Sequence, residues 1–157
     1  MEELYTVTDY LKENPEKQAA WMKQLEKADW DAGRSLCRRL KENDLTSKTG
    51  ENTQLLLMID KERDEIAAYC TLAEKDDIQP TDLTPWIGYV FTYPKYRGKG
   101  LARRLLEHAE NLARQQGVIA IYISTGHEGL YERYGYSFAG EMKDIHDTMS
   151  RVYKKSL

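Results

Sequence analysis

Residues 86–106 read WIGYVFTYPKYRGKGLARRLL, and the fold turns on this stretch. Its first eight residues are mostly aromatic and β-branched, the composition of a buried strand. Pro94 ends that strand, because proline has no N–H for the ladder. From residue 100 the period changes: Leu101, Ala102, Leu105, Leu106, Ala109, Leu112 and Ala113 share one helical face, and Gly117 closes the helix. Between strand and helix stand Gly98 and Gly100, which let the backbone turn tightly and approach a ligand closely. A helix starting there aims unpaired N–H groups and its positive dipole end at whatever fills the turn, and phosphate suits that position.

Charge sharpens the reading. From Leu83 to Leu106 there is no Asp or Glu, but there are five cations, Lys95, Arg97, Lys99, Arg103 and Arg104. The remaining chain carries 18 Lys and Arg against 26 Asp and Glu, within an overall net charge of −3. First turns of helices ordinarily favour acidic residues, by about 0.3–1 kcal/mol each. A basic first turn in an acidic chain therefore reads as an anion site, although RGKG alone is also the composition of a flexible, solvated connection. A phosphate loop of the GxxxxGK[ST] type is absent. The dinucleotide fingerprint GxGxxG fails because Arg103 stands where its third glycine belongs.

Working outward, Leu4–Val7 is β-prone, and residues 15–42 are helical, with Gly33 expected to mark a bend or break. NDLTSKTGENT (43–53) reads as a loop. QLLLMID (54–60) and IAAYCTLA (66–73), joined by KERDE, form a hairpin. A polar loop over 74–84 leads into the strand of residues 86–93. After the helix of residues 100–116 come a strand at 118–125, a helical turn or two at 130–134, and strands at 136–142 and 148–154. The order β-αα-βββ-α-β-α-ββ predicts one α/β (α+β) domain over residues 1–157, a mixed sheet with helices on both faces.

The turn PKYRGKGLA, its flanking elements and the later GLYERYGYSF (129–138) together resemble the GNAT-type N-acetyltransferase family. That family's Gln/Arg-x-x-Gly-x-Gly/Ala pattern falls on Lys95, Gly98 and Gly100, with lysine departing from the usual first residue while keeping its charge. YERYGYSF resembles the family's short aromatic segment. The resemblance implies a mostly antiparallel central sheet splayed between the strands at 86–93 and 118–125, with acetyl-CoA in the gap. Its pantetheine arm would pair with backbone near Val90, Phe91 and Thr92. Arg97, Gly98, Lys99, Gly100, Leu101 and Ala102 would hold the pyrophosphate. Arg103 or Arg104 would reach the 3′-phosphate, unless these are solvated helix charges.

Acetyl transfer needs a neutral amine, a stabilised oxyanion and a proton for the departing thiolate. Tyr131 matches the family tyrosine that points at the sulfur and is the expected acid, with an interior aromatic role as its alternative. Tyr134 and Tyr136 read as core. A backbone N–H near Phe91 would meet the oxyanion. No carboxylate lies in WIGYVFTY to act as base, so His127, with Glu128 beside it, is the remaining side-chain candidate; an ordered water or an amine arriving neutral would serve equally. His108 and His146 lack metal-ligand company, and no metal site is expected. Asp29, Trp30 and Asp31 could receive a cation or be ordinary helix residues.

The whole chain excludes several classes. Its 157 residues suffice for one core, and the acidic balance argues against nucleic-acid binding. No apolar run approaches a membrane span, and the acidic start MEELYTVTDY is unlike a signal peptide. Cys37 and Cys70 sit in apolar patterns, as buried thiols of a reducing, cytoplasmic compartment do. The expected activity is acetyl transfer from acetyl-CoA to a primary amine of a small molecule. A protein or peptide acetyltransferase and a non-catalytic acyl-CoA-binding module are the alternatives, and the family resemblance is compatible with a homodimer.

Overall fold

A computed structural model describes residues 3–157; the first two residues of the acidic N-terminal segment lie outside the described part. Seven strands form one sheet: β1 (Tyr5–Asp9), β2 (Gln54–Asp60), β3 (Glu65–Ala73), β4 (Trp86–Thr92), β5 (Ala120–Thr125), β6 (Ser137–Lys143) and β7 (Met149–Ser156). Their spatial order is β1-β2-β3-β4-β5-β7-β6, and every neighbouring pair is antiparallel except β4 with β5. Four α-helices accompany them: α1 (Pro15–Leu25), α2 (Asp31–Lys41), α3 (Leu45–Thr49) and α4 (Leu101–Gln115). This is the mixed sheet with helices on both faces that the element order predicts, and it is mostly antiparallel, as the family resemblance implies.

The strand β2 explains why two layers of helix are needed. Alternate residues of a strand point to opposite faces. Leu55, Leu57 and Ile59 pack with Trp21, Leu25 and Leu36 of α1 and α2. Leu56 and Met58 belong to the opposite cluster, built around Leu101, Leu105 and Ala109 of α4. Both faces are dry, so the run reads as continuous hydrophobics. Cys37 and Cys70 are free thiols buried in these two clusters, and burial pushes the Cys70 thiol up to about 12. Among the described residues no helix is long and apolar enough to cross a membrane.

Two local readings change. The helical region breaks at residues 26–30, and Gly33 lies inside α2. The break falls where Trp30 adopts extended backbone (φ −161°) at the start of α2. Gly33 instead supplies space, since a Cβ there would come 3.0 Å from the Tyr69 hydroxyl and 3.3 Å from the Trp30 ring. Within the expected loop 43–53 the chain forms α3, a single turn that carries one buried leucine, Leu45, and so has no period to read. Helix α1 starts where its sequence signals: the Asn14 side chain accepts from the Lys17 N–H at 2.8 Å, with Pro15 at the first helical position.

Candidate active site

The strands β4 and β5 are paired only at Trp86–Tyr122 and Ile87–Ile123, and beyond residue 87 they separate. The cause lies on the other edge of β4. Thr71 of β3 faces Gly88 and Tyr69 faces Phe91, so Tyr89 and Val90 together oppose Cys70 alone. Such an extra residue is a β-bulge, which bends the strand and raises its twist. Tyr89 takes the left-handed backbone (φ 49°) that a bulge accommodates. The separation opens a cleft of about 780 Å³. Along it, the backbone of β4 beyond Gly88 has no partner in β5, so its polar groups are available to a ligand.

One end of the cleft is closed by the cofactor-type turn. Gly98 and Gly100 both have positive φ, 79° and 73°. Helix α4 begins directly after Gly100 with no side-chain cap and no acidic residue in its first turn, so its first N–H groups stay unmet. Arg97, Gly98, Gly100, Leu101 and Ala102 line this end, and Val90, Phe91 and Thr92 line the wall leading to it. Arg97 donates from Nε to the Thr92 carbonyl at 2.9 Å, with its guanidinium 5.6 Å from the Phe91 ring centre.

The other cations of the turn face elsewhere. Lys95 pairs with Glu65, and both Lys95 and Lys99 border a separate shallow depression beside Asp60 and Tyr5. Arg103 donates to the Arg133 carbonyl at 2.9 Å and lies over the Tyr134 ring, while Arg104 pairs with Glu3 at 2.9 Å. Tyr96 sets this division. Its hydroxyl lies 2.7 Å from Asp60 Oδ2 and 2.6 Å from Glu65 Oε1, which ties the turn to the β2–β3 hairpin. Lys95 and Lys99 both lie over the Tyr96 ring as well.

Tyr131 opens a 3₁₀ turn, Tyr131–Tyr134, and lines the cleft while only 7% exposed. Three rings hold it at centroid distances of 6.2–6.4 Å: Tyr134, Tyr136 and Tyr153. Burial pushes its phenol above the ordinary tyrosine value, so it carries its proton throughout the physiological range. Tyr134 also lines the cleft, whereas Tyr136 is core and donates to the buried Glu110 carboxylate at 2.8 Å. Lys155 completes that cluster, 2.9 Å from Glu110 and 2.9 Å from the Tyr134 carbonyl. His127 is exposed in the loop before Tyr131 and lines the cleft; Glu128 beside it pairs outward with Arg151 at 3.3 Å.

The wall of the cleft on the α1–α2 side is aromatic. Trp30 stacks on Phe91 (5.3 Å, 15°), backed by Tyr69 and Tyr93, and Asp29 stands at the rim with Arg34 3.3 Å away. Asp31 pairs with Arg34 and is absent from the cleft wall. Three contributors escape sequence reasoning: the bulge at Tyr89, the Tyr96 clamp, and the Glu110–Lys155 pair behind Tyr131. Each depends on residues 26–45 positions apart or on a register change that no local pattern announces.

The architecture recurs in solved proteins. An acetyltransferase from Streptococcus agalactiae superposes with a TM-score of 0.65 at 23% identity, covering 99% of each chain. The GNAT-family N-acetyltransferase YhbS from Escherichia coli, solved with CoA, gives 0.66 at 20% identity over 97% of this chain and 81% of its own. An aminoglycoside 6'-N-acetyltransferase complexed with coenzyme A gives 0.65 at 14% over 96% of each chain. At these identities the likeness is one of fold. No curated protein matches the sequence significantly. The sequence model of the acetyltransferase (GNAT) family matches residues 10–136, the span that includes α1 to α4, the glycine turn and Tyr131. On that match, which covers well over half of the chain, the protein belongs to the acetyltransferase (GNAT) family.

Proposed function

We propose that this protein is a cytoplasmic N-acetyltransferase that moves the acetyl group of acetyl-CoA directly to a primary amine of a small molecule. The observation that carries the reading is a convergence: the unpaired end of β4, the open N-terminus of α4 and the Tyr131 phenol all border one cleft. In this reading the backbone at Val90, Phe91 and Thr92 pairs with the pantetheine amides as an added strand would. The N–H groups from Gly98 to Ala102, with Arg97, meet the pyrophosphate. Arg103 is a candidate for the 3′-phosphate once it leaves the Arg133 carbonyl, and Lys95 and Lys99 act at a distance through their charge. A β4 backbone N–H near Phe91 stabilises the oxyanion, and Tyr131 protonates the thiolate.

The acceptor enters along the Trp30–Phe91 side, whose stacked wall and Asp29 suit a cationic amine with an apolar body. His127 borders the same cleft and remains a candidate proton relay.

Thermal melts with acetyl-CoA, CoA, dephospho-CoA and ATP test the cofactor. A ligand at 100 times its Kd adds about 2.7 kcal/mol, or roughly 5–11 °C for a chain of this size. Acetyl-CoA and CoA should shift the melt and ATP should not; no shift with any CoA species at millimolar concentration refutes the reading. Tyr131→Phe should lower kcat at least tenfold with acetyl-CoA affinity retained, and equal rates would remove Tyr131 from the chemistry.

A further inference from the structure

The connection between β3 and β4 brings a carboxyl group to the point where the sheet splits. Asp76 is 9% exposed. Its backbone is held by Gln79, whose side-chain amide donates to the Asp76 carbonyl at 2.7 Å. Its Oδ1 occupies the position that a side chain at residue 88 would take: a Cβ on Gly88 would collide with it, and would come 3.1 Å from Thr71 Oγ1. Gly88 lines the cleft and is the first residue of β4 past the last β4–β5 pair. Asp76 does not itself line the cleft; Gly88, which does, stands between the carboxyl and the apex and puts no side chain in the way.

The faces of the sheet set Asp76 against Tyr131. Ile87 belongs to the cluster under α4, as does Tyr131. Gly88 follows Ile87 by one residue and so points to the other face, the one where Trp86 packs on Ile78. Asp76 and Tyr131 therefore flank the split from opposite faces. This arrangement would serve attack on a thioester, with one group taking the proton of the arriving nitrogen and the other supplying one to the leaving sulfur.

We propose that Asp76 is the general base of the acetyl transfer, which rests on the acetyltransferase reading of the cleft. The amine nitrogen forms the C–N bond, and the proton it sheds passes through one bridging water past Gly88 to the Asp76 carboxylate. The C–S bond breaks, and Tyr131 donates its phenolic proton to the thiolate, leaving an amide and free CoA thiol. Solvent then returns a proton to Tyr131 and takes one from Asp76.

The electrostatic setting suits that role. Burial, then the neighbouring Asp77 charge, pushes the Asp76 carboxyl up to about 7, against the opposing pull of the Asp77 backbone N–H and of Lys48. Lys48, the cation facing it from α3, lies 2.8 Å from Asp77 and donates to the Tyr89 hydroxyl at 3.2 Å, so it is engaged elsewhere. The Asp76 charge is also felt at Tyr131. A base with a pKa near the working pH is half ionised there and still accepts a proton readily.

The test compares wild type with Asp76→Asn and Gly88→Ala, whose methyl would displace the carboxyl. Spermidine, kanamycin, tyramine and a lysyl peptide are screened as acceptors, and the best is carried forward. Loss of a general base lowers the rate by about 10²–10⁴-fold. Asp76→Asn should lower kcat at least a hundredfold, leave the KM for acetyl-CoA within about twofold, and abolish the acidic limb of the kcat–pH profile. A purely structural role would move KM and leave that limb in place. In parallel, protein labelled with ¹³C at aspartate Cγ is titrated with CoA bound, and the resonance missing from Asp76→Asn should titrate near pH 7. A variant within threefold of wild type at every pH overturns the proposal, and so does titration in the ordinary aspartate range. Where acetyl-CoA binds but no acceptor on the panel turns over, the carboxyl titration decides. A wild type that neither binds nor uses acetyl-CoA removes the acetyltransferase reading itself, and the base with it.

Discussion

Replacing Lys155 with methionine should destabilise this protein far more than the loss of a surface ion pair. The Glu110 side chain is 3% exposed and its two oxygens have two partners, the Lys155 ammonium at 2.9 Å and the Tyr136 hydroxyl at 2.8 Å. Methionine keeps the stem of the lysine and removes the charge, leaving a buried carboxylate with one neutral donor. Breaking a buried pair in this way costs about 3–5 kcal/mol, because the remaining ion has left water without compensation. For a chain of this size each kcal/mol lowers Tm by roughly 2–4 °C, so the expected fall is about 6–20 °C. Urea denaturation followed by circular dichroism measures the same loss as a shift of midpoint at constant slope. Adding Glu110→Gln to the variant removes the stranded charge and should recover most of the stability; the double-mutant cycle isolates the pair. A loss below about 1 kcal/mol, the scale of an exposed pair, would refute the reasoning and mean that water reaches Glu110. Because Lys155 also holds the Tyr134 carbonyl at 2.9 Å, the variant should additionally loosen the turn that carries Tyr131.

Other substitutions follow from the same geometry. Asp76 is raised in the folded state, so the native protein binds a proton that the unfolded chain has lost, and wild-type stability should fall as pH climbs from about 4 to about 7. Asp76→Asn lacks that slope; its stability advantage should be near zero at pH 4 and reach a few kcal/mol by pH 8, and parallel pH curves for the two proteins would contradict it. Tyr96→Phe leaves Asp60 and Glu65 without their shared donor, at a cost of about 1–3 kcal/mol. It should also weaken acetyl-CoA binding measured by calorimetry, since the turn loses its tether. Gly100→Ala meets no atom within 4 Å, so its penalty is backbone strain alone, about 1–2 kcal/mol; a chemical melt without ligand checks this, and a neutral result would contradict the left-handed conformation.

Local pattern carried the parts of the fold that local physics determines. Helix α4 was legible because a fifteen-residue helix repeats its apolar face four times. The β2–β3 hairpin was legible because both strands are buried on both faces. Gly98 and Gly100 stood out because positive φ next to a helix start has few other uses. What was illegible depends on partners distant in sequence. Gly33 reads as a helix breaker until Tyr69, 36 residues later, is seen to need the space. Lys95 and Lys99 read as part of an anion site because the turn is basic, and only the fold shows both lying over the Tyr96 ring beside the β2–β3 hairpin. Asp76 is one of two adjacent aspartates in a polar loop, and nothing in DDIQP separates the buried one from its neighbour Asp77.

The bulge at Tyr89 joins these pieces, because it does more than open the cleft. In a regular strand Ile87, Tyr89 and Phe91 would share a face. Here Ile87 packs under α4 while Tyr89, Phe91 and Tyr93 pack against the α1–α2 side. The extra residue therefore inverts the alternation at the very place where β4 leaves β5. Gly88 before the bulge and Phe91 after it come to the same side, which puts the Asp76 carboxyl and the Trp30–Phe91 wall on one flank of the split. Tyr131 and the N-terminus of α4 remain on the other. A strand without the bulge would turn Phe91 toward α4 and Val90 toward Trp30, since a slip of one residue exchanges every side chain between faces. The separation of acceptor side from cofactor side thus follows from a single irregularity in the register of β3 and β4, and the left-handed backbone at Tyr89 is its structural signature.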